Sequence, residues 1–113
     1  MKLRARVQKE MDMAFAARKQ GNEGMARVCA RRAAGIVVRD FLDQHGIEAA
    51  GLNNFEILVD ESVRKSLPAS VLPALQHLTM RVDENYALPA GIDLLADAQA
   101  VIQTLLRSEE HTS

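Results

Sequence analysis

Residues 23–44 read EGMARVCARRAAGIVVRDFLDQ, and they carry the strongest helical pattern in the chain. At about 100° per residue, small and apolar side chains fall on one face of an α-helix; they are Ala26, Ala30, Ala33, Val37 and Phe41. A face so rich in alanine predicts a central helix that its neighbours approach closely. Gly46 follows at the place where a glycine commonly ends a helix.

An amphipathic helix is also predicted before this stretch, over residues 2–20, where apolar residues recur at three- and four-residue spacing; they are Leu3, Val7, Met11, Ala14 and Phe15. Met25 is expected to extend the apolar face of the central helix on one side. Gly21 and Asn22 separate the two helices, and so short a connection predicts antiparallel neighbours.

Three further helices are predicted after it. Asn53 or Asn54 can cap a short helix whose inward residues are Phe55, Leu58 and Val59. Pro68 and Pro73 bracket the start of the next helix, which carries an apolar stripe up to Val82. Asp93 can cap a last helix with a stripe from Leu94 to Leu105. No stretch alternates with the two-residue period of a strand, so the predicted fold is all-α, an up-and-down bundle of four to five helices.

Composition excludes several classes of protein. Apolar residues make up 48% of the 113 residues and aromatic residues only 4%, which suits helix-on-helix packing. The single cysteine, Cys29, allows no internal disulfide, and the three histidines lack metal-ligand spacing, so we expect no metal and no cofactor. No apolar run approaches the roughly 20 residues of a membrane span. We expect a cytoplasmic protein without membrane contact.

The C-terminal residues 107–113 read RSEEHTS, which is the letter-for-letter translation of AGA TCG GAA GAG CAC ACG TCT, a common sequencing adapter. We therefore expect one domain over residues 1–106, followed by an artefactual or disordered tail.

Charge is unevenly placed along the chain. Residues 1–45 carry a net charge of +5 and residues 46–113 a net charge of −6. One interpretation is that the two halves of a bundle attract each other. The other is a basic face that meets an anion, a nucleic acid or an acidic partner.

Four residues of the central helix form a candidate anion-binding site. Around the helix, Gly35 lies at the centre of a triangle formed by Arg31, Arg32 and Arg39. Glycine costs a helix interior about 1 kcal/mol relative to alanine, so some close approach should compensate. A neighbouring helix or a second subunit could pack on Gly35, or an anion could bind between the arginine side chains; the sequence leaves both open.

The central helix also resembles a known family. Ala33, Ala34, Arg39, Leu42 and Gly46 match the small-residue helix of HEPN (higher eukaryotes and prokaryotes nucleotide-binding) domains, in the non-toxin branch. That pattern has two alanines, a basic residue and a leucine before a glycine. Residues 54–58, 78–82 and 98–105 fit other parts of the pattern, so the resemblance covers residues 5–106.

The resemblance implies a bundle of four or five helices, a homodimer, and one of two roles. Some members accompany small nucleotidyltransferases in two-gene modules, and others cleave RNA. Our first interpretation is a non-catalytic partner in a nucleotidyltransferase-associated or toxin–antitoxin (defence-type) module, with a surface for a nucleotide or RNA.

Two alternatives stay open. One is a metal-independent ribonuclease with Arg39 and His45 paired across a dimer. The two lie six positions apart, which points them about 120° apart on one helix, so they would not meet within one chain. The other is a plain dimeric adaptor whose arginines are neutralised by acids such as Asp83 or Glu84.

Overall fold

The computed structural model describes residues 2–49, 51–80, 88 and 91–111, with side chains up to residue 106. In chain order the elements are α1 (Leu3–Lys19), α2 (Glu23–Gln44), α3 (Asn54–Val59), α4 (Glu61–Lys65), a 3₁₀ turn (Ala69–Val71), α5 (Leu72–Leu78) and α6 (Leu94–His111). The described ranges contain no β-strand, so the predicted all-α class is confirmed.

A tight turn folds α1 and α2 into an antiparallel hairpin. Gly21 has a φ of 80°, which a glycine adopts without strain, and the N–H of Asn22 donates to the carbonyl of Ala17 at 2.8 Å. The side chain of Asn22 then accepts from the N–H of Met25 and caps α2. One short segment therefore ends the first helix and begins the second.

The central helix α2 packs against α1, α3 and α6. Four alanines on it are completely buried, and their small side chains let the neighbouring helices approach closely; they are Ala26, Ala30, Ala33 and Ala34. The predicted glycine stop is also confirmed, because Gly46 has a φ of 69° and the N–H of Ile47 donates to the carbonyl of Leu42 at 2.8 Å.

The third helix begins where the sequence predicts, and it ends at Val59. Asn53 caps α3 in a reciprocal capping box with Glu56. At Asp60 the backbone turns extended, with a ψ of 127°, and its carboxylate accepts from the N–H of Val63. Asp60 thus ends α3 and caps α4, so this region forms two short helices.

The inward face of α3 differs from the prediction. Phe55 and Val59 are 48% and 40% exposed, whereas Ile57 and Leu58 are completely buried. Asn54 lies against α2, and at 100° per residue this contact turns Ile57 and Leu58 inward and the other two outward. The prediction that Phe55 and Val59 face the core is therefore wrong, while Leu58 is confirmed.

Two further residues of the predicted apolar faces are exposed, so the prediction that they face the core is wrong. Phe15 on α1 is 42% exposed and Met25 on α2 is 45% exposed. On α1 the buried stripe follows Val7, Met11, Ala14 and Ala17, and Phe15 lies 100° away from Ala14.

The last helix begins at the predicted cap and extends past the predicted end. Asp93 accepts from the N–H of Leu95 at 3.0 Å. The helix continues to His111, beyond the domain boundary expected at Leu106; the adapter origin of residues 107–113 stays a prediction. Within the described ranges, no helix combines the length and the apolar character that a bilayer crossing requires. Val82 lies outside the described residues.

Arg18 joins three helix ends. Its guanidinium binds both carboxylate oxygens of Glu23, at 2.7 and 3.0 Å, and one of Asp93, at 3.0 Å. The hydrogen bond from Arg18 lowers the pKa of Glu23. Burial raises the pKa of Asp93, but hydrogen bonds from Arg18 and from backbone N–H groups outweigh burial and lower it. This cluster holds the start of α6 against the turn of the hairpin.

Acid should weaken this cluster. Both carboxyl groups have lowered pKa values in the folded protein. They therefore add to the free energy of unfolding above their ordinary pKa values of 4.5 and 3.8, and this contribution is lost as the pH falls through the lowered pKa values. We expect Arg18→Met to reduce the free energy of unfolding at neutral pH by about 0.5–1 kcal/mol, since all three groups are partly exposed. Below about pH 5 the variant should lose stability less steeply than the wild type.

Urea unfolding across this pH range measures both effects. Lys19→Met, at the next and exposed position, is the matched control and should keep the wild-type dependence of stability on pH. If the free energy of unfolding fell equally steeply with pH in Arg18→Met and in the wild type, the pH dependence would not arise from the Arg18 cluster.

Candidate functional site

Gly35, at the centre of the predicted arginine triangle, is buried beneath α3. A Cβ at this position would lie 2.9 Å from the Cβ of Asn54 and 3.1 Å from its carbonyl oxygen. The absent side chain therefore allows α3 to lie directly on α2, which is the close-packing interpretation. Gly35 does not form an open backbone surface between the arginines.

Arg31 forms a hydrogen bond with the C-terminal end of α5. Its Nε donates to the carbonyl of Leu78 at 2.6 Å, which satisfies a carbonyl at a helix C-terminus. Burial lowers the pKa of Arg31, and the nearby charge of Arg27 lowers it further. Arg64 binds the same region through Thr79 at 3.1 Å. Arg31 is thus held at the end of α5, apart from the groove in which Arg32 and Arg39 lie.

Arg32 and Arg39 line one cavity of about 390 Å³ between α1 and α2, which we call the α1–α2 groove. Three helices supply its walls, with charges of both signs and two aliphatic side chains: Leu3, Arg6, Lys9 and Glu10 from α1, Ile36, Asp40 and Asp43 from α2 beside the two arginines, and Asn54 from α3. The structure therefore brings together two of the three predicted arginines, with Asn54 covering Gly35 at the edge.

The two arginines of the groove have partners of different kinds. Arg32 pairs with Glu10 at 3.3 Å. Arg39 donates to the backbone carbonyls of Ala49 and Leu52, in the segment that leads from α2 to α3. These hydrogen bonds fix its position, and no carboxylate of the described residues lies within 4.0 Å of its guanidinium.

Four other charged residues of the groove lack partners within the described part of the chain. Arg6 and Lys9 on α1, and Asp40 and Asp43 on α2, make no ion pair within 4.0 Å and no side-chain hydrogen bond there. Sequence reasoning missed the two α1 cations. Their three-residue spacing, which places them on one side of α1, was the signal.

The ribonuclease pair is not brought together within one chain. His45 caps α2, where its Nδ1 lies 2.8 Å from the carbonyl oxygen of Phe41 and its ring stacks on Phe41 at 4.1 Å. Arg39 instead binds the carbonyls of the following segment. Pairing of Arg39 with His45 across a dimer stays a prediction.

Other reactive groups lie apart from the groove. His77 binds Asp97 at 3.0 Å across α5 and α6. Cys29 is buried, and burial, with Glu10 nearby, raises the pKa of its thiol, as expected for a core residue. Among the described residues no group of three or more potential ligands could hold a metal ion. Asp83 and Glu84, the acids of the adaptor interpretation, lie outside them; the carboxylate that neutralises Arg32 is Glu10.

Comparison with known proteins adds no assignment: no family model matches this chain, and neither curated proteins nor solved structures give a significant match.

Proposed function

We propose that this chain is a non-catalytic binding module that uses the α1–α2 groove to hold an anionic group of its partner. In this proposal the fold is a HEPN-like up-and-down bundle, acting as a homodimer in a nucleotidyltransferase-associated or toxin–antitoxin type of module. The ligand is a nucleotide, an RNA or an acidic protein surface. The supporting observation is that four cations share one groove and that, within the described part of the chain, three of them have no carboxylate at ion-pair distance.

The chemistry of these side chains suits an anion. Arginine presents several N–H donors in a rigid fork and keeps its charge at any relevant pH, so it can bind two oxygens of a phosphate or carboxylate. Arg39 is positioned in advance by the carbonyls it binds, which lowers the entropy cost of binding. Arg6 and Lys9 are exposed and free to turn toward a ligand.

Two observations favour binding over catalysis. The described residues that line the groove include no histidine, the side chain that most often acts as a general acid or base near neutral pH, and no cysteine or serine nucleophile. His45, the candidate base, stacks on Phe41 and binds its carbonyl instead.

The test is calorimetric titration with adenosine monophosphate and with a short single-stranded RNA. Arg6→Ala/Lys9→Ala should raise the Kd at least about tenfold, since each charge-assisted hydrogen bond contributes about 1.5–3 kcal/mol. Affinity should also fall as salt rises. Lys19→Ala/Lys65→Ala removes two exposed charges elsewhere and is the matched control.

Equal affinities of the two double variants would contradict the groove as the anion site. The RNA recovered after titration should be intact. Cleavage that disappears in His45→Ala would instead support the ribonuclease alternative.

A further inference from the structure

The α1–α2 groove continues toward the turn of the hairpin as an apolar surface. The ion pair of Arg32 with Glu10 fixes the register of the two antiparallel helices at this edge of the groove. One helical turn closer to the hairpin turn, Met13 on α1 therefore lies beside Val28 on α2. Met25 follows one turn further along α2. The side chains of Met13, Val28 and Met25 are 40%, 43% and 45% exposed.

These apolar residues share the sides of the two helices that form the groove. On α1, Met13 lies seven positions after Arg6 and points within about 20° of the same direction. On α2, Met25 and Val28 lie seven and four positions before Arg32 and point within about 20° and 40° of its direction. Both arginines line the groove. The three apolar side chains and the adjoining part of the groove, up to residue 36, thus form one continuous surface, which we call the hairpin face.

The charge of the hairpin face is basic. Among the described residues that line this part of the groove, the one carboxylate, that of Glu10, is paired with Arg32. Arg6 and Lys9 have no carboxylate at ion-pair distance in the described part of the chain. Ile36 lies one turn beyond Arg32 and adds a half-buried aliphatic side chain. The face therefore offers apolar contacts at both ends and two uncompensated cations beside them.

An α-helix matches the dimensions of this face. Val28 and Ile36 are eight positions apart on α2, which is about 12 Å along the axis. The same distance separates residues i and i+7 or i+8 of a helix docked along the groove, and these are the anchor positions of helix-in-groove recognition. Methionine suits such a surface because its flexible, polarisable side chain adapts to the apolar groups of a partner.

RNA matches the hairpin face less well. Bases that bind without pairing stack on aromatic side chains, and the described residues of this face include none. A strand held by Arg6 and Lys9 would leave Met13, Met25 and Val28 in water. A partner that covers the whole face must carry apolar groups together with its negative charges.

We propose that this partner is an amphipathic helix of another protein, with acidic residues beside its apolar stripe. Its apolar side chains cover Met13, Met25 and Val28 at one end of the face and Ile36 at the other, and its carboxylates bind the two cations of α1. This inference rests on the proposed function, in which the groove holds an anionic group, and it names the kind of partner that supplies that group.

Fluorescence anisotropy of a labelled synthetic helix tests the chemistry of the partner. The probe is a peptide of about 16 residues, about 24 Å long as a helix, with leucines at positions i, i+4, i+7 and i+11 and glutamates beside them. The comparison peptide has lysine in place of each glutamate and should bind at least about tenfold more weakly.

Variants of the hairpin face should weaken binding of the glutamate peptide. Met13→Glu and Val28→Glu should each raise its Kd at least about tenfold, because a carboxylate then replaces an apolar contact and faces the acids of the peptide. Arg6→Ala/Lys9→Ala should raise the Kd by a similar factor, because it removes the two cations that the glutamates bind.

Phe15→Glu is the matched control. Phe15 is 42% exposed and lies on the same helix as Met13, but it points about 200° away around that helix. This variant makes the same change of charge and should bind within about twofold of the wild type. Circular dichroism of every variant checks that the helices are intact. Equal effects of Met13→Glu and Phe15→Glu, or tighter binding of the lysine peptide, would overturn the inference.

Two other occupants of the face would give different results. Self-association of the wild type in sedimentation velocity, lost in Met13→Glu but not in Phe15→Glu, would assign the face to a second copy of this chain and overturn the inference. RNA binding that Met13→Glu weakens as much as Arg6→Ala/Lys9→Ala does would assign the face to nucleic acid and overturn it as well.

The inference and the proposed function fail separately. If the glutamate peptide does not bind while adenosine monophosphate or RNA still binds through Arg6 and Lys9, the helix partner is overturned and the anion site stands. If the peptide binds with the expected dependence on Met13, Val28 and the two cations while neither other probe binds, the inference is supported, and nucleotide and RNA are excluded as ligands of the groove.

Discussion

Replacing Gly35 with alanine should destabilise this protein by about 1–3 kcal/mol, the usual cost of overpacking a well-packed interior. In an exposed helix interior the same change would stabilise by up to about 1 kcal/mol. At Gly35 the effect on stability has the opposite sign. The new Cβ would lie 2.9 Å from the Cβ of Asn54 and 3.1 Å from its carbonyl oxygen, which belongs to the backbone and cannot move away by a side-chain rotation. Gly35→Leu should cost more, because the added atoms meet the same backbone.

Gly24→Ala on the same helix is the control, since the nearest atom to its new Cβ, the Oδ1 of Asn22, lies at 3.9 Å. It should leave the midpoint of urea unfolding unchanged or raise it. Asn54→Gly removes two of the three crowded atoms. If it partly restores the stability of Gly35→Ala, the loss of stability arises from this contact. A Gly35→Ala variant as stable as the wild type would contradict the packing described here.

Leu58→Ala should cost about 2–5 kcal/mol, as expected for a completely buried leucine whose removal leaves a cavity. Phe55→Ala, on the same short helix, should change the free energy of unfolding by no more than about 0.5 kcal/mol, because the side chain is 48% exposed. Equilibrium urea denaturation of both variants gives the comparison.

The contrast is informative because the sequence pattern predicts that Phe55 and Leu58 both face inward on one helix. A Phe55→Ala loss as large as that of Leu58→Ala would show that α3 is turned about its axis relative to the structure, or that Phe55 is covered in an assembly. Measuring the Phe55 variant at several protein concentrations separates these two explanations, since only the second depends on concentration.

Local signals in the sequence indicated three of the helix ends, although the cap of α3 was left open between Asn53 and Asn54. Asn53, Asp93 and Gly46 act through hydrogen bonds and backbone angles within a few residues, so their roles can be inferred without knowledge of any neighbour. The alanine-rich face of α2 was predictable for a related reason. Its helical period appears within the stretch itself, and a buried face needs small residues wherever other helices approach closely.

Contacts between distant segments required the tertiary structure. Helical periodicity places Gly35 among three arginines, but only the approach of Asn54 shows that the glycine admits α3 and not an anion. The same contact sets the rotation of α3, and a six-residue helix has too few turns for its own pattern to define an inward face. The α1–α2 groove likewise depends on the register of an antiparallel pair. That register brings Arg6 and Lys9 beside Arg32, more than twenty residues away along the chain, because side chains on facing helices meet according to packing and not according to sequence distance.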